Sequence, residues 1–294
     1  MIKTDVTNIG DPFILNDGEK YFMYATSAKD GFLFFESDDL KNWKNCGYCY
    51  KAAAVTESDY WAPEVYKKGE KYYMLFTARQ TETHSLRLWL AESASPRGPF
   101  VNVYDKPLFD FGYAVIDGTL FFDDDGQAYL YYARDCSENI INGVHTSEIY
   151  CVKFDAEKLR VSGQPVKICS PDVKWETEHS DEWRWNEAPA VIKRGNTYYL
   201  NYSVNCFDSR EYSVALATSV HPMANFKKRE DNPALKYREG EFSGPGHNCF
   251  FKNKKGELMT AFHIHTFYDK PSGNRRACIA RAYFNEDGGI KFDV

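Results

Sequence analysis

Helical periodicity is almost absent from this 294-residue chain. Only Asp155 to Arg160 reads as a short helical turn, which leaves strands as the structural material. Apolar runs are short, and none approaches the roughly 20 residues that a membrane-spanning helix needs. The mean hydropathy of −0.55 agrees with a soluble protein. Positive charge is in deficit: 36 Lys and Arg stand against 42 Asp and Glu, a net charge of −6. That balance argues against nucleic acid and against an acidic membrane surface as partners. It suits a neutral ligand. The eight cysteines lack metal-ligand spacing. Cys46 and Cys49 form a lone Cys-x-x-Cys with no second pair and no nearby His, which disfavours zinc. Cys151, Cys249 and Cys278 lie in apolar, strand-like runs, as buried reduced thiols do. Reduced thiols, and a first hairpin that begins within about ten residues of Met1, give a cytoplasmic expectation. No Ser/Gly-rich linker interrupts the chain, so residues 1–294 read as a single domain.

Aromatic residues are abundant, with 21 Tyr and 21 Phe, and they favour strands. One figure recurs: an apolar run, a tight turn at Gly, then an aromatic or apolar run leaving it. Asp11-Pro12-Phe13-Ile14-Leu15 leads through Asp17-Gly18 to Tyr21–Tyr24. Ala62-Pro63-Glu64-Val65-Tyr66 leads through Gly69 to Tyr72–Leu75. Asp117–Phe122 leads through Gly126 to Tyr129–Tyr132. Glu187–Ile192 leads through Gly195 to Tyr198–Leu200. His247–Phe251 leads through Gly256 to Leu258-Met259. The steps between the opening residues are 51, 55, 70 and 60 (11 to 62 to 117 to 187 to 247). A period of this size built from short strands points to a propeller. A third and an outer strand follow each hairpin. The expectation is an all-β, five-bladed β-propeller with four antiparallel strands per blade. Asp172–Trp185, polar and carrying Trp175, Trp183 and Trp185, reads as a long loop of the functional kind.

Innermost propeller strands run along the central axis, so equivalent strand ends converge. The repeat therefore gathers Asp11, Ala62, Asp117, Glu187 and His247 at one mouth. Taken singly, Asp11 before Pro12 and Asp117 before Gly118 read equally well as turn formers, and His247 as a loop histidine. Their shared place in the repeat favours a site. Clustered carboxylates raise one another's pKa, so one holds a proton near neutrality. A proton donor facing an acceptor across a pocket is what acetal hydrolysis needs.

Gly10-Asp11-Pro12-Phe13, Trp61-Ala62-Pro63-Glu64-Val65, Val115-Ile116-Asp117-Gly118, Asn186-Glu187-Ala188-Pro189 and Gly244-Pro245-Gly246-His247 span the whole chain. With Arg275-Arg276 and Phe284–Gly288, they make the sequence resemble glycoside hydrolase family 43. The resemblance implies a five-bladed propeller and an inverting glycosidase. It implies Asp11 as general base, Asp117 as orienting carboxylate and Glu187 as general acid. Base and acid carboxyls should then lie about 6.5–9.5 Å apart, leaving room for water. His247 matches an axial histidine linked to a calcium ion, mostly through water; no organic cofactor is implied. Arg275 and Arg276 are candidates for substrate contact, and Phe32, Trp61 and the Trp183/Trp185 loop for aromatic walls against a sugar. The family reading gives an exo-acting α-L-arabinofuranosidase or β-xylosidase on plant-derived oligosaccharides. Endo-arabinanase, a galactofuranosidase-type enzyme and a non-catalytic carbohydrate-binding propeller remain as alternatives. Asp117-Gly118 departs from the family's usual Asp-Pro.

Overall fold

A computed structural model describes residues 1–294. Strands fall into chain-order runs. The first is β1 (Ile2–Asn16), β2 (Tyr21–Thr26), β3 (Gly31–Ser37) and β4 (Lys44–Lys51). The second is β5 (Thr56–Lys68), β6 (Lys71–Gln80), β7 (Leu86–Ser93) and β8 (Val101–Asn102). The third is β9 (Val115–Phe122), β10 (Ala128–Arg134), the short β11 (Ile140–Ile141), β12 (Val144–Asp155) and β13 (Arg160–Cys169). After the four-residue helix α1 (Lys174–Thr177) come β14 (Trp183–Arg194), β15 (Thr197–Val204), β16 (Ser213–Ser219) and β17 (Lys227–Lys228). The last is β18 (Gly246–Lys252), β19 (Leu258–His265), β20 (Arg275–Phe284) and β21 (Ile290–Phe292). Within each run, successive strands pair antiparallel, with β10 pairing directly to β12.

The packing follows from period-2 alternation with both faces buried. Along β2, Tyr21, Met23 and Ala25 join Phe251 and Ile279 of the last run. Phe22 and Tyr24 turn the other way, to Tyr60, Phe76 and Trp89 of the second. Leu75 and Leu90 meet Leu130 and Val152. Ile149 meets Leu200 and Tyr202, and Leu216 meets Phe262 and Cys278. Each run thus packs on its neighbour, and the last packs on the first.

Hydrogen bonding does not divide the strands into separate four-stranded sheets. It makes sheets of eight, nine and four strands. One join comes from β1, whose first half pairs with β20 (Ile2↔Ile279, Ile9↔Arg275) while its second half pairs with β2. The other is parallel, between β12 and β14 (His145↔Trp183, Ser147↔Trp185). Trp183 and Trp185 are therefore strand residues at the end of the stretch read as loop. The rest of it is pinned: buried Glu176 accepts from Tyr202 Oη at 2.8 Å and pairs with Lys228 at 2.5 Å. Asp155–Arg160 is a hairpin turn between β12 and β13, where Asp155 Oδ1 accepts from the Glu157 and Lys158 amides, and forms no helix. All eight cysteines are free, and six of them are buried. No helix is long and apolar enough to cross a membrane.

Candidate active site

The first strand of every run carries the same irregularity. Its register gains one residue between Gly10 and Phe13, Trp61 and Glu64, Ile116 and Thr119, Glu187 and Ala190, and Gly246 and Cys249. Each is a β-bulge, which re-aims the side chains around it. The residue after the last regular pair has positive φ: Asp11 (53°), Ala62 (47°), Asp117 (56°), Ala188 (49°) and His247 (49°). The fifth equivalent is thus Ala188, where the sequence repeat suggested Glu187. Glu187 lies one residue earlier, in register with Gly10, Trp61, Ile116 and Gly246.

Left-handed backbone is costly for these residues, and a neighbour holds each one. The Ala62 amide donates to Thr26 Oγ1 at 2.9 Å, Asp117 to Thr77 Oγ1 at 3.1 Å, His247 to Ser203 Oγ at 2.8 Å, and Asp11 to His263 Nδ1 at 3.2 Å. All four acceptors occupy one register position, on the second strand of the preceding run. In the third run that position is Ala133, which has no acceptor. There the carboxylate of Asp117 substitutes, taking the Ala188 amide on Oδ2 at 3.0 Å.

These strand ends surround a cavity of about 300 Å³ lined by Asp11, Trp61, Asp117, Trp185, Glu187, His247 and Arg275. Asp11 Oδ1 receives Arg275 Nη1 at 2.9 Å and lies 3.2 Å from His247 Nδ1. Asp11 Oδ2 accepts from Thr26 Oγ1 at 2.5 Å. Glu187 Oε1 accepts from Tyr212 Oη at 2.8 Å. Two glycines admit these partners. A Cβ on Gly10 would lie 1.9 Å from the Arg275 guanidinium, and one on Gly246 would lie 2.0 Å from the Tyr212 ring. His247 Nδ1 is also 4.0 Å from Asp117 Oδ2.

The environments pull the carboxyls apart. Burial alone would raise Asp11, but the Arg275 and His247 cations override it and hold this carboxyl well below the usual range. Asp117 is raised to about 6 by burial and by Asp11, against the pull of His247. Glu187 is raised well above the usual range by burial and then by the Asp117 charge. Burial opposes the charge on His247, yet Asp11 and Asp117 raise it to about 9. One carboxylate is therefore kept ionised and another kept protonated in the same cavity.

A family model described as glycosyl hydrolases family 43 matches residues 6–290. The chain belongs to that family. The family-43 chain is 25% identical to the extracellular exo-alpha-(1->5)-L-arabinofuranosidase of Streptomyces avermitilis over 97% of its length, and spans 61% of that protein. It is 24% identical to the beta-D-galactofuranosidase of Aspergillus niger, covering 92% of this chain and 78% of that protein. Among solved structures, a thermostable family-43 glycoside hydrolase matches at 40% identity and a TM-score of 0.95, over 100% of this chain and 96% of the other. An endo-1,4-beta-xylanase of Bacteroides thetaiotaomicron matches at 29% identity and a TM-score of 0.85, over 98% of this chain and 96% of the other.

Two residues expected at the sugar lie elsewhere. Phe32 is fully buried among Tyr50, Tyr60 and Phe76. Arg276 neighbours Arg275 on β20, so its side chain leaves by the opposite face, and it is not part of the cavity wall. Sequence reasoning missed Arg79, Asp135, Cys136, Ser137, Phe207 and Tyr212, which also line the cavity. The first five follow or end second strands, and Tyr212 precedes β16. The repeat carried no sign of them, because it aligns first strands only. No three His, Cys, Asp or Glu side chains converge as a metal-binding set. Calcium takes six to eight oxygens, so an ion beside His247 would be held mostly by water.

Proposed function

We propose that this family-43 protein is an inverting, exo-acting glycosidase that releases terminal arabinofuranosyl or xylosyl units from oligosaccharides. We also propose that the five strand runs are the blades of a five-bladed propeller, a reading supported by the packing of each run on the next and of the last on the first. The observation that carries the mechanism is the opposite tuning of Asp11 and Glu187 in one cavity.

Ionised Asp11 takes a proton from water, whose oxygen forms the new bond to the anomeric carbon. The bond from that carbon to the leaving oxygen breaks, and Glu187 gives that oxygen its proton. Arg275 and Thr26 hold Asp11 in line, and Tyr212 holds Glu187. Asp117, bridging to the Ala188 amide, keeps a negative charge beside Glu187 and so keeps it protonated. A cavity of about 300 Å³ is at the small end of ligand sites and suits one sugar.

The pH profile follows with definite signs. The base must be ionised, so activity falls as pH drops through the depressed Asp11 pKa. The acid must be protonated, so activity falls as pH rises through the raised Glu187 pKa. Asp117→Asn retains an oxygen for the Ala188 amide but removes the charge that raises Glu187. The alkaline limb of kcat/KM is expected to move to lower pH by about one unit or more. An unmoved limb would remove Asp117 from the tuning role.

Substrate class is tested with para-nitrophenyl α-L-arabinofuranoside, β-D-xyloside and β-D-galactofuranoside beside linear arabinan. Hydrolysis of a pentoside, with only monosaccharide appearing from the polymer, is the expected result. Cleavage of the polymer alone, into mixed oligomers, overturns exo action. Preference for the galactofuranoside would move the reading toward the activity of the Aspergillus relative.

A further inference from the structure

We propose that Trp183 and Trp185, with His145 stacked behind Trp183, form a shelf that binds the leaving part of the substrate, one or two sugars beyond the scissile bond. The inference rests on the glycosidase reading above and names the substrate that reading requires: an oligosaccharide rather than a simple glycoside.

Side chains two apart on a strand share a face, at steps of about 6.6 Å. Trp183, Trp185 and Glu187 therefore point to one side of β14 in a row. Glu187 and Trp185 are in the cavity wall, while Trp183 is the next step outward and is 37% exposed. The two indole planes are within 14° of parallel, with centroids 6.3 Å apart. The parallel pairing of β12 with β14 puts His145 opposite Trp183, and the imidazole stacks on the indole at 4.0 Å and 11°. His145 is itself held, with Nδ1 2.8 Å from the Cys136 carbonyl oxygen. Three nearly parallel rings thus step out of the cavity, fixed before any ligand arrives. Preorganised aromatic rings bind at low entropic cost.

Trp183 belongs to no hydrophobic core cluster; its ring packs on His145 and lies beside Trp185. Exposed apolar surface joined to a binding cavity marks a recognition surface. The flat ring face suits the C–H face of a pyranose or furanose, whose hydroxyls stay in water. Glu187 decides which part of the substrate lies there. It donates to the leaving oxygen, so the leaving sugar emerges beside Glu187. The strand that carries the acid carries the rings as well.

The test compares kcat/KM on a para-nitrophenyl pentoside with kcat/KM on linear arabino- or xylo-oligosaccharides of two to four units. Wild type, Trp183→Ala and His145→Ala are measured side by side. In wild type, kcat/KM is expected to rise from disaccharide to trisaccharide. In Trp183→Ala the ratio of trisaccharide to aryl-glycoside kcat/KM is expected to fall about tenfold, the size of one stacking contact. His145→Ala, which leaves Trp183 unbacked, should lower the same ratio by about threefold. An unchanged ratio, or an equal loss on both substrates, overturns the shelf. Calorimetry of trisaccharide binding to Glu187→Gln, with and without Trp183→Ala, reads the shelf without turnover. Equal affinities there overturn it. Failure of wild type to hydrolyse any of the glycosides overturns the glycosidase reading instead, and the binding measurement still decides the shelf.

Discussion

Glu187→Gln is expected to lower kcat/KM by about 10²–10⁴-fold on substrates with a sugar leaving group. Glutamine has the same shape, and its oxygen still accepts the Tyr212 hydroxyl, so the site should remain assembled. What disappears is the proton that burial and Asp117 keep on this side chain. The size of the loss should depend on the leaving group. A dinitrophenolate departs without a proton, so on that glycoside the loss should shrink to about tenfold or less. The alkaline limb of the profile should vanish with the acid. Equal losses on sugar and dinitrophenyl substrates would sink the acid assignment. A carbohydrate-binding propeller without catalysis would have no turnover to lose and would keep its affinity.

Asp11→Asn should be as damaging, about 10²–10⁴-fold, but with the opposite signature. Activation of water is needed whatever leaves, so the loss should be nearly the same for good and poor leaving groups. Asparagine keeps the shape and one oxygen for Arg275, and its amide nitrogen faces the Thr26 hydroxyl, which can turn to accept, so the loss reports mainly the missing base. The stereochemical readout belongs to the same experiment. In wild type, NMR during the first turnovers should find the anomer inverted. Net retention would make the second carboxylate a nucleophile and discard Asp11 as base.

Much of this arrangement could be read along the chain, and the reason is locality. A first strand, its glycine turn and its second strand are contiguous, so five copies expose the period. The period in turn brought Asp11, Asp117 and His247 to one place. What escaped was set by contacts between distant segments or by shifts of a single residue. Residues 2–9 of β1 are strand because they find β20, some 270 positions away. Phe32 sits where alternation along β3 aims it, into the aromatic core, and an aromatic residue looks the same on either face. The offset of Glu187 from the bulge was invisible because Glu187-Ala188-Pro189 and Trp61-Ala62-Pro63 align just as well as the register that joined Glu187 to Ala62. Tyr212 reaches Glu187 from a separate loop, with nothing in the repeat to announce it.

The five bulges have a consequence for how such a site diversifies. Four left-handed positions are clasped through the backbone amide by a neighbouring run, and the side chain at each position is not what its own clasp holds. Those positions behave as interchangeable sockets: aspartate, alanine and histidine already occupy them with the same geometry, so chemistry can be exchanged without remaking the frame. The fifth left-handed position, Ala188 in the fourth run, is different. Ala133 offers nothing to Ala188, and the carboxylate of Asp117 serves as both clasp and charge. A lineage drifting toward another reaction could revise Ala62 without touching the bond that clasps it, but it would have to supply a hydroxyl at position 133 before it could give up Asp117. Evolvability here is unevenly distributed around the cavity, and one missing oxygen on the second strand of the third run sets where it is lowest.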